Sequence, residues 1–249
     1  MSKPRLAGRS LAAALALVLA ACSASDPYQG MDAEQLFRIA EIEMADEDWD
    51  DAIQALERLQ ISFGDWSRIA DARLMLADAY FRNGDYLTAR SEYQRFRDRF
   101  VAHPRAPEAG LGECRSLAQL TPDPERDQTY TQEAIVVCGN VSIDYAGTAE
   151  ADSARAIRQE LRETMAEKEF LNAEHYMRRE LYDPAIIYYQ FVLDNYGDTE
   201  FAPRALLGLY RANEAIGYDD LAEQARQRLL SEYPESEAAA ELREEDANS

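Results

Sequence analysis

Thiols, imidazoles and positive charge are all scarce in this chain. Cysteine stands only at Cys22, Cys114 and Cys138, and histidine only at His103 and His175. Neither histidine has a cysteine, a serine or the other histidine at ligand or triad spacing, which leaves no residue set for a nucleophilic triad or a zinc site. His103 precedes Pro104 in a loop and His175 lies between Glu174 and Tyr176 in a helical stretch, so both read as surface or packing residues. The run Gly110-Leu111-Gly112-Glu113 lacks the third glycine and the preceding strand of a phosphate loop, and suits helix packing better. The acidic run from Asp46 to Asp51 lacks the alternating ligands, central glycine and terminal glutamate of a calcium loop, and fits helix capping. No catalytic residue, metal or cofactor is therefore expected, and the chain reads as a binding protein, not an enzyme. Lys and Arg number 26 against 47 acids, a formal net charge of −21. That balance disfavours nucleic acid, whose phosphates are met by clustered Lys and Arg, and disfavours polybasic attachment to anionic lipid.

Long apolar stretches are equally rare. The one such run, Leu11 to Ala21, follows a start that carries Lys3, Arg5 and Arg9 and no acid. It is shorter than the roughly 20 apolar residues that span a bilayer, so it reads as the core of a secretory signal. It ends in Leu19-Ala20-Ala21-Cys22, which resembles a bacterial lipobox, so cleavage before Cys22 and lipid on its thiol are expected. A plain signal peptide with an incidental cysteine is the alternative. The likeness to bacterial lipoproteins, with Ser23 in place of aspartate, implies delivery to the outer membrane, facing the periplasm. Residues 1–21 are read as signal peptide and 22–30 as lipidated linker. Removing the signal leaves 23 basic residues against 47 acids, a formal charge of −24.

What the chain has in abundance is a repeat. An alanine followed eleven residues later by an aromatic occurs at Ala52/Phe63, Ala89/Phe100, Ala134/Tyr145, Ala185/Tyr196 and Ala222/Tyr233. Nine residues after the first four aromatics stands another alanine: Ala72, Ala109, Ala154 and Ala205. Self-similarity at this period signals stacked helical hairpins. In the second unit, Leu74, Leu76, Ala77 and Tyr80 recur at helical spacing; Asn83-Gly84-Asp85 then breaks the helix and caps the next. Leu76, Ala77, Tyr80, Gly84, Tyr86, Ala89, Tyr93 and Phe96 resemble the tetratricopeptide consensus. The expected fold is all-α, a tetratricopeptide-like solenoid of about five hairpins.

The third unit is irregular, with a proline-bearing connection at 120–127. On the repeat register Cys138 points inward from a second helix while Cys114 takes a different face of a first helix, so two separate thiols are expected in preference to a bridge. A long helix is expected from about Ala149 to Leu181. The resulting layout is repeats 1–3 over 31–148, the long helix with repeats 4–5 over 149–240, and a disordered acidic tail over 241–249.

One pattern recurs between the first two units: Phe37, Glu41 and Met44 reappear as Leu74, Asp78 and Phe81. Each triple occupies one face of a first helix, where tetratricopeptide arrays line a groove. Apolar residues flanking an acid suit an extended or helical peptide with an aromatic end. Packing of first helices on their neighbours would account for the apolar members equally well.

The arrangement as a whole resembles the BamD family, the tetratricopeptide lipoprotein of the outer-membrane β-barrel assembly machinery. The likeness rests on the lipobox at Cys22, five hairpins, the Arg99-Phe100 to His103-Pro104 stretch, the long helix ending in Glu174-His175-Tyr176-Met177-Arg178-Arg179, and Val192 to Thr199. It implies a scaffold whose carboxy-terminal repeats dock on the barrel-forming subunit, beside other lipoproteins of the machinery. Its amino-terminal repeats would receive unfolded outer-membrane protein segments, with the membrane reached through the N-terminal lipid only. A tetratricopeptide lipoprotein adaptor for cell-wall enzymes or envelope constriction is the alternative reading.

Overall fold

A computed structural model describes residues 27–248, which places the signal peptide and Cys22 outside the described residues. Eleven α-helices and no strands occur among the described residues. They fall into two compact units, divided after Ala72.

The first unit holds helix α1 (Ala33–Ala45), helix α2 (Trp49–Ser62) and the start of α3 (Ile69–Arg82). Asp32 begins α1 with a capping box: it accepts from the Gln35 amide at 2.8 Å, and the Gln35 side chain accepts from the Asp32 amide at 3.0 Å. Glu47 turns the chain with φ 62°, and the hairpin closes on Leu36, Ala40, Ala52, Ala55, Leu56 and Leu59, all fully buried. Alanines at these positions let the two backbones approach, and leucines fill the remaining space. Tyr28, in the short turn before α1, donates from its hydroxyl to the Asp51 carbonyl at 3.3 Å.

The second unit runs from Arg73 through α4 (Tyr86–Arg99), α5 (Ala106–Gln119), α6 (Thr129–Asp144), α7 (Ala149–Met177), α8 (Tyr182–Tyr196), α9 (Phe201–Ala215), α10 (Asp219–Glu232) and α11 (Glu237–Asn248). The α3–α4 turn uses Gly84 at φ 81°, where only glycine is unstrained, and Asp85 caps α4 by accepting from the Thr88 amide at 3.1 Å. Helix α7, capped by Thr148, packs on α5 and α6 at one end and on α8 and α9 at the other. Helix α7 thus packs on helices to either side of 148/149, the boundary drawn from the sequence between the two groups of repeats.

Two further expectations are corrected. Cys114 and Cys138 are not separate thiols but a disulfide, with Cα atoms 4.9 Å apart and both side chains fully buried among Leu117, Ala134, Val141 and Ala154. The regular repeat register puts the two cysteines on different faces, yet the packing of α5 on α6 brings their Cα atoms within disulfide reach. Within the expected disordered tail, residues 241–248 are helical: α11 continues to Asn248, burying Ala238, Ala239 and Leu242 in the core formed by α7 to α10. Arg211 on α9 pairs with Glu241 at 2.7 Å and with Glu245, drawing the acidic face of α11 down.

Candidate peptide-binding cavity

A cavity of about 650 Å³ opens in the second unit between four helices. Helix α3 contributes Asp78, Phe81 and Arg82, and Tyr93 of α4 stands beside them. Helix α5 contributes Glu108, Leu111, Gly112 and Arg115, and the first turns of α7 supply Ala149, Glu150 and Ser153. Its size falls within the range of about 300–1,000 Å³ typical of ligand sites.

The geometry centres on Tyr93. Its ring is buried, and its hydroxyl donates to Asp78 Oδ1 at 2.5 Å. The ring can lie there because Gly112 has no side chain: a Cβ at that position would sit 2.4 Å from two of the ring carbons. Burial pushes the Asp78 carboxyl above its ordinary range, against the hydrogen bond from Tyr93, which pulls it down. Burial likewise pushes the Tyr93 phenol upward, reinforced by the adjacent Asp78 carboxylate, so it stays a hydrogen-bond donor. Behind this wall, Glu113 of α5 is buried and accepts from Arg97 of α4 at 2.7 Å. Desolvation raises its carboxyl, and the Arg97 guanidinium opposes the rise. Glu108 accepts two hydrogen bonds from Arg105, at 2.7 and 2.8 Å.

The residues proposed from the sequence meet different fates. Asp78 and Phe81 both line the cavity, and the Phe81 ring lies 5.4 Å from that of Tyr86. Leu74, one turn earlier, is fully buried and is taken up by packing. The other triple lies in the first unit. Phe37 there is 1% exposed, its ring tilted against that of Trp66 at 5.2 Å with the Arg68 guanidinium 4.2 Å above it. Glu41 is exposed with Arg68 at 3.8 Å, and Met44 is half-buried. Phe37 and Leu74 are therefore core residues, as packing alone would have them.

Tyr93 and Gly112 went unrecognised as partners of Asp78, although a signal existed. Tyr189, Glu174 and Gly208 stand at the same repeat positions, and Tyr189 donates to Glu174 over Gly208, whose Cβ would lie 2.3 Å from the Tyr189 ring. An aromatic, an acid and a glycine at fixed offsets from the repeat alanines were visible twice. Among the described residues, three carboxylates within 4.8 Å of one another, on Glu43, Asp48 and Asp51, form the one grouping of metal-ligand type. They are mostly exposed and lie in the α1–α2 turn, where acids favour the start of a helix.

Three proteins named outer membrane protein assembly factor BamD are similar along most of the chain. The one from Vibrio cholerae is 25% identical over 230 residues, covering 87% of this chain and 94% of that protein. The one from Neisseria meningitidis is 23% identical over 245 residues, covering 91% of each. The one from Caulobacter vibrioides is 24% identical over 209 residues, covering 83% of this chain and 68% of its own. Among solved structures, the TPR2AB domain of yeast Sti1 in complex with pHSP90 aligns with 81% of this chain and 78% of that one, at TM-score 0.47 and 13% identity. The family model described as YfiO, outer membrane lipoprotein, matches residues 29–229, and with so much of its length matched the chain belongs to that family, the one that includes BamD.

Proposed function

We propose that this protein is an outer-membrane-anchored periplasmic scaffold of the β-barrel assembly machinery. In this reading lipid on Cys22 holds it to the membrane, and the cavity on α3, α4 and α5 receives segments of unfolded outer-membrane proteins. The carboxy-terminal repeats dock on the barrel-forming subunit, and the protein catalyses no reaction of its own. The family and the names of its relatives support the assembly role. The observation that carries the binding role is the cavity itself, which joins the aromatic and aliphatic walls of Phe81 and Leu111 to the polar Asp78 and Tyr93. Apolar walls with a few fixed polar groups suit an extended chain whose backbone needs partners while its side chains need burial.

Phe81→Asp tests the binding role. It puts a charge where an apolar side chain would dock, at a half-buried position that the helix does not need for its core. Affinity for a synthetic outer-membrane strand peptide is expected to fall at least tenfold with far-UV circular dichroism unchanged, and unchanged affinity would sink the reading. Cys22→Ala tests the anchor: the protein should move from the membrane to the soluble periplasmic fraction, and continued membrane fractionation would count against lipid attachment.

A further inference from the structure

The disulfide between Cys114 and Cys138 is out of reach of solvent, since both residues are fully buried. Leu111 and Leu117 lie beside Cys114 along α5, and Ala134 and Val141 beside Cys138 along α6. A third helix completes the enclosure. Helix α7 lays Ala154, Ile157 and Leu161 on the same cluster. These three stand three and then four residues apart, so they form one face of α7. The bond thus sits under a helix that contributes neither of its cysteines.

A disulfide forms by thiol–disulfide exchange. One cysteine thiolate attacks a donor disulfide and is joined to it, which frees one donor sulfur. The second cysteine thiolate then attacks that mixed disulfide, closing Cys114 Sγ on Cys138 Sγ and releasing the other donor sulfur. Two S–H bonds of this chain are lost, and two electrons and two protons leave the donor as a pair of thiols. At the mixed-disulfide stage the donor is bonded to a cysteine of α5 or α6, so its whole body must stand there. A core at crystal-like packing density, with both cysteines fully buried, has no room for it. The exchange therefore precedes the docking of α7. Chain order permits this sequence of events. Both cysteines precede Ala149, so a chain exported from its N-terminus presents the dithiol before its cover has emerged. The α5–α6 hairpin also has bonds of its own that do not involve α7. Gln128, buried in the connection, donates to the Asp123 carbonyl at 2.8 Å and accepts from Thr131 Oγ1 at 2.5 Å.

We propose that Cys114 and Cys138 are the substrate of a dithiol oxidation that acts on the open chain, and that α7 then closes over the product. The oxidant is a disulfide donor that leaves as two thiols, whether an oxidoreductase or a small disulfide such as that of glutathione. Once closed, α7 keeps reductants out as it kept the donor out, so the bond is a permanent staple and not a switch. With lipid on Cys22, as in the reading above, these are the only two thiols of the mature chain. One pairing is then available, and the step needs an oxidase but no isomerase. The burial under α7 holds whether or not Cys22 carries lipid.

Two measurements on the full-length lipoprotein in mild detergent test the order of events. In the first, excess dithiothreitol is added to the native protein, and free Cys114 and Cys138 are scored over time by alkylation and peptide mass spectrometry. Reduction is expected at least a hundredfold slower than in concentrated urea, and at least tenfold faster in Leu161→Ala, which loosens the cover, than in the native chain. Leu242→Ala truncates a buried leucine of α11, outside the disulfide cluster, and should leave the rate within twofold. In the second, reduced and unfolded protein is diluted into glutathione disulfide and sampled for the bond and for trypsin cleavage at Arg158, Arg162 and Lys168 of α7. The bond is expected in chains that trypsin still cuts there. Repeating the dilution with a disulfide-bonded oxidoreductase in place of glutathione disulfide tells a protein donor from a small one, and either upholds the proposal. Native reduction as fast as in urea, no greater acceleration by Leu161→Ala than by Leu242→Ala, or α7 protected in chains that still carry both thiols overturns it. Neither readout involves a bound peptide or the membrane, so the outcome stands apart from the assembly reading.

Discussion

At the scale of single residues, the cavity depends on a glycine that no helix propensity would favour. A mid-helix glycine costs about 1 kcal/mol against alanine, so Gly112 persists because Tyr93 needs its space. Gly112→Ala should push the ring off Asp78 and cost roughly 2 kcal/mol, the usual range for overpacking, or about 6 °C in Tm. A melt that stays put would show that the ring is not held there. Asp78 carries the opposite kind of strain. Its carboxyl is raised by burial, so the native chain binds that proton more readily than the unfolded one does. Ionised Asp78 therefore costs stability at neutral pH, and the cost is relieved as pH falls through the raised value towards the ordinary one near about 4. Asp78→Asn keeps an acceptor for Tyr93 and removes the charge. It should melt about 2 °C higher at pH 7 and gain less than the native chain between pH 7 and pH 5. Thermal melts at the two pH values check both the offset and the slope.

Helices and their connections show where the sequence could be read and where it could not. The hairpins were legible because Ala52, Ala89, Ala185 and Ala222 stand at close helix approaches, and small residues there leave a fixed period. The Asp78 and Phe81 pair was legible for the same reason, as a face that repeats. The disulfide was not, because it depends on how α5 packs on α6, and spacing carries no information about that packing. A staple closing this 24-residue separation should contribute roughly 3 kcal/mol by restricting the unfolded chain. Cys114→Ala with Cys138→Ala is accordingly expected to melt about 9 °C lower while remaining helical, as differential scanning calorimetry would register. Helix α11 was hidden by composition. Its acids suggested a solvated tail, yet they sit on the outer face of a helix whose Ala238, Ala239 and Leu242 complete the core. Deleting residues 237–249 should cost roughly 3 kcal/mol through lost burial of Leu242 and its neighbours, and should make the protein aggregate, because a terminal helix in a solenoid screens its apolar end.

For the whole molecule, charge and family limit the setting more than the fold does. Tetratricopeptide-like arrays serve many ligands, so architecture alone leaves the partner open. The excess of acid, 47 acidic against 26 basic residues, opposes binding to phosphate and anionic lipid. In the proposed reading, the cavity edged by Phe81 is what ties the fold to the assembly of outer-membrane proteins. The direct measurement is site-specific photo-cross-linking from position 81 of the full-length lipoprotein in growing cells, with the adducts identified by mass spectrometry. The account predicts adducts with unfolded segments of outer-membrane barrel proteins. Adducts confined to cell-wall enzymes, or none from position 81 while the protein is present in the outer membrane, would contradict it.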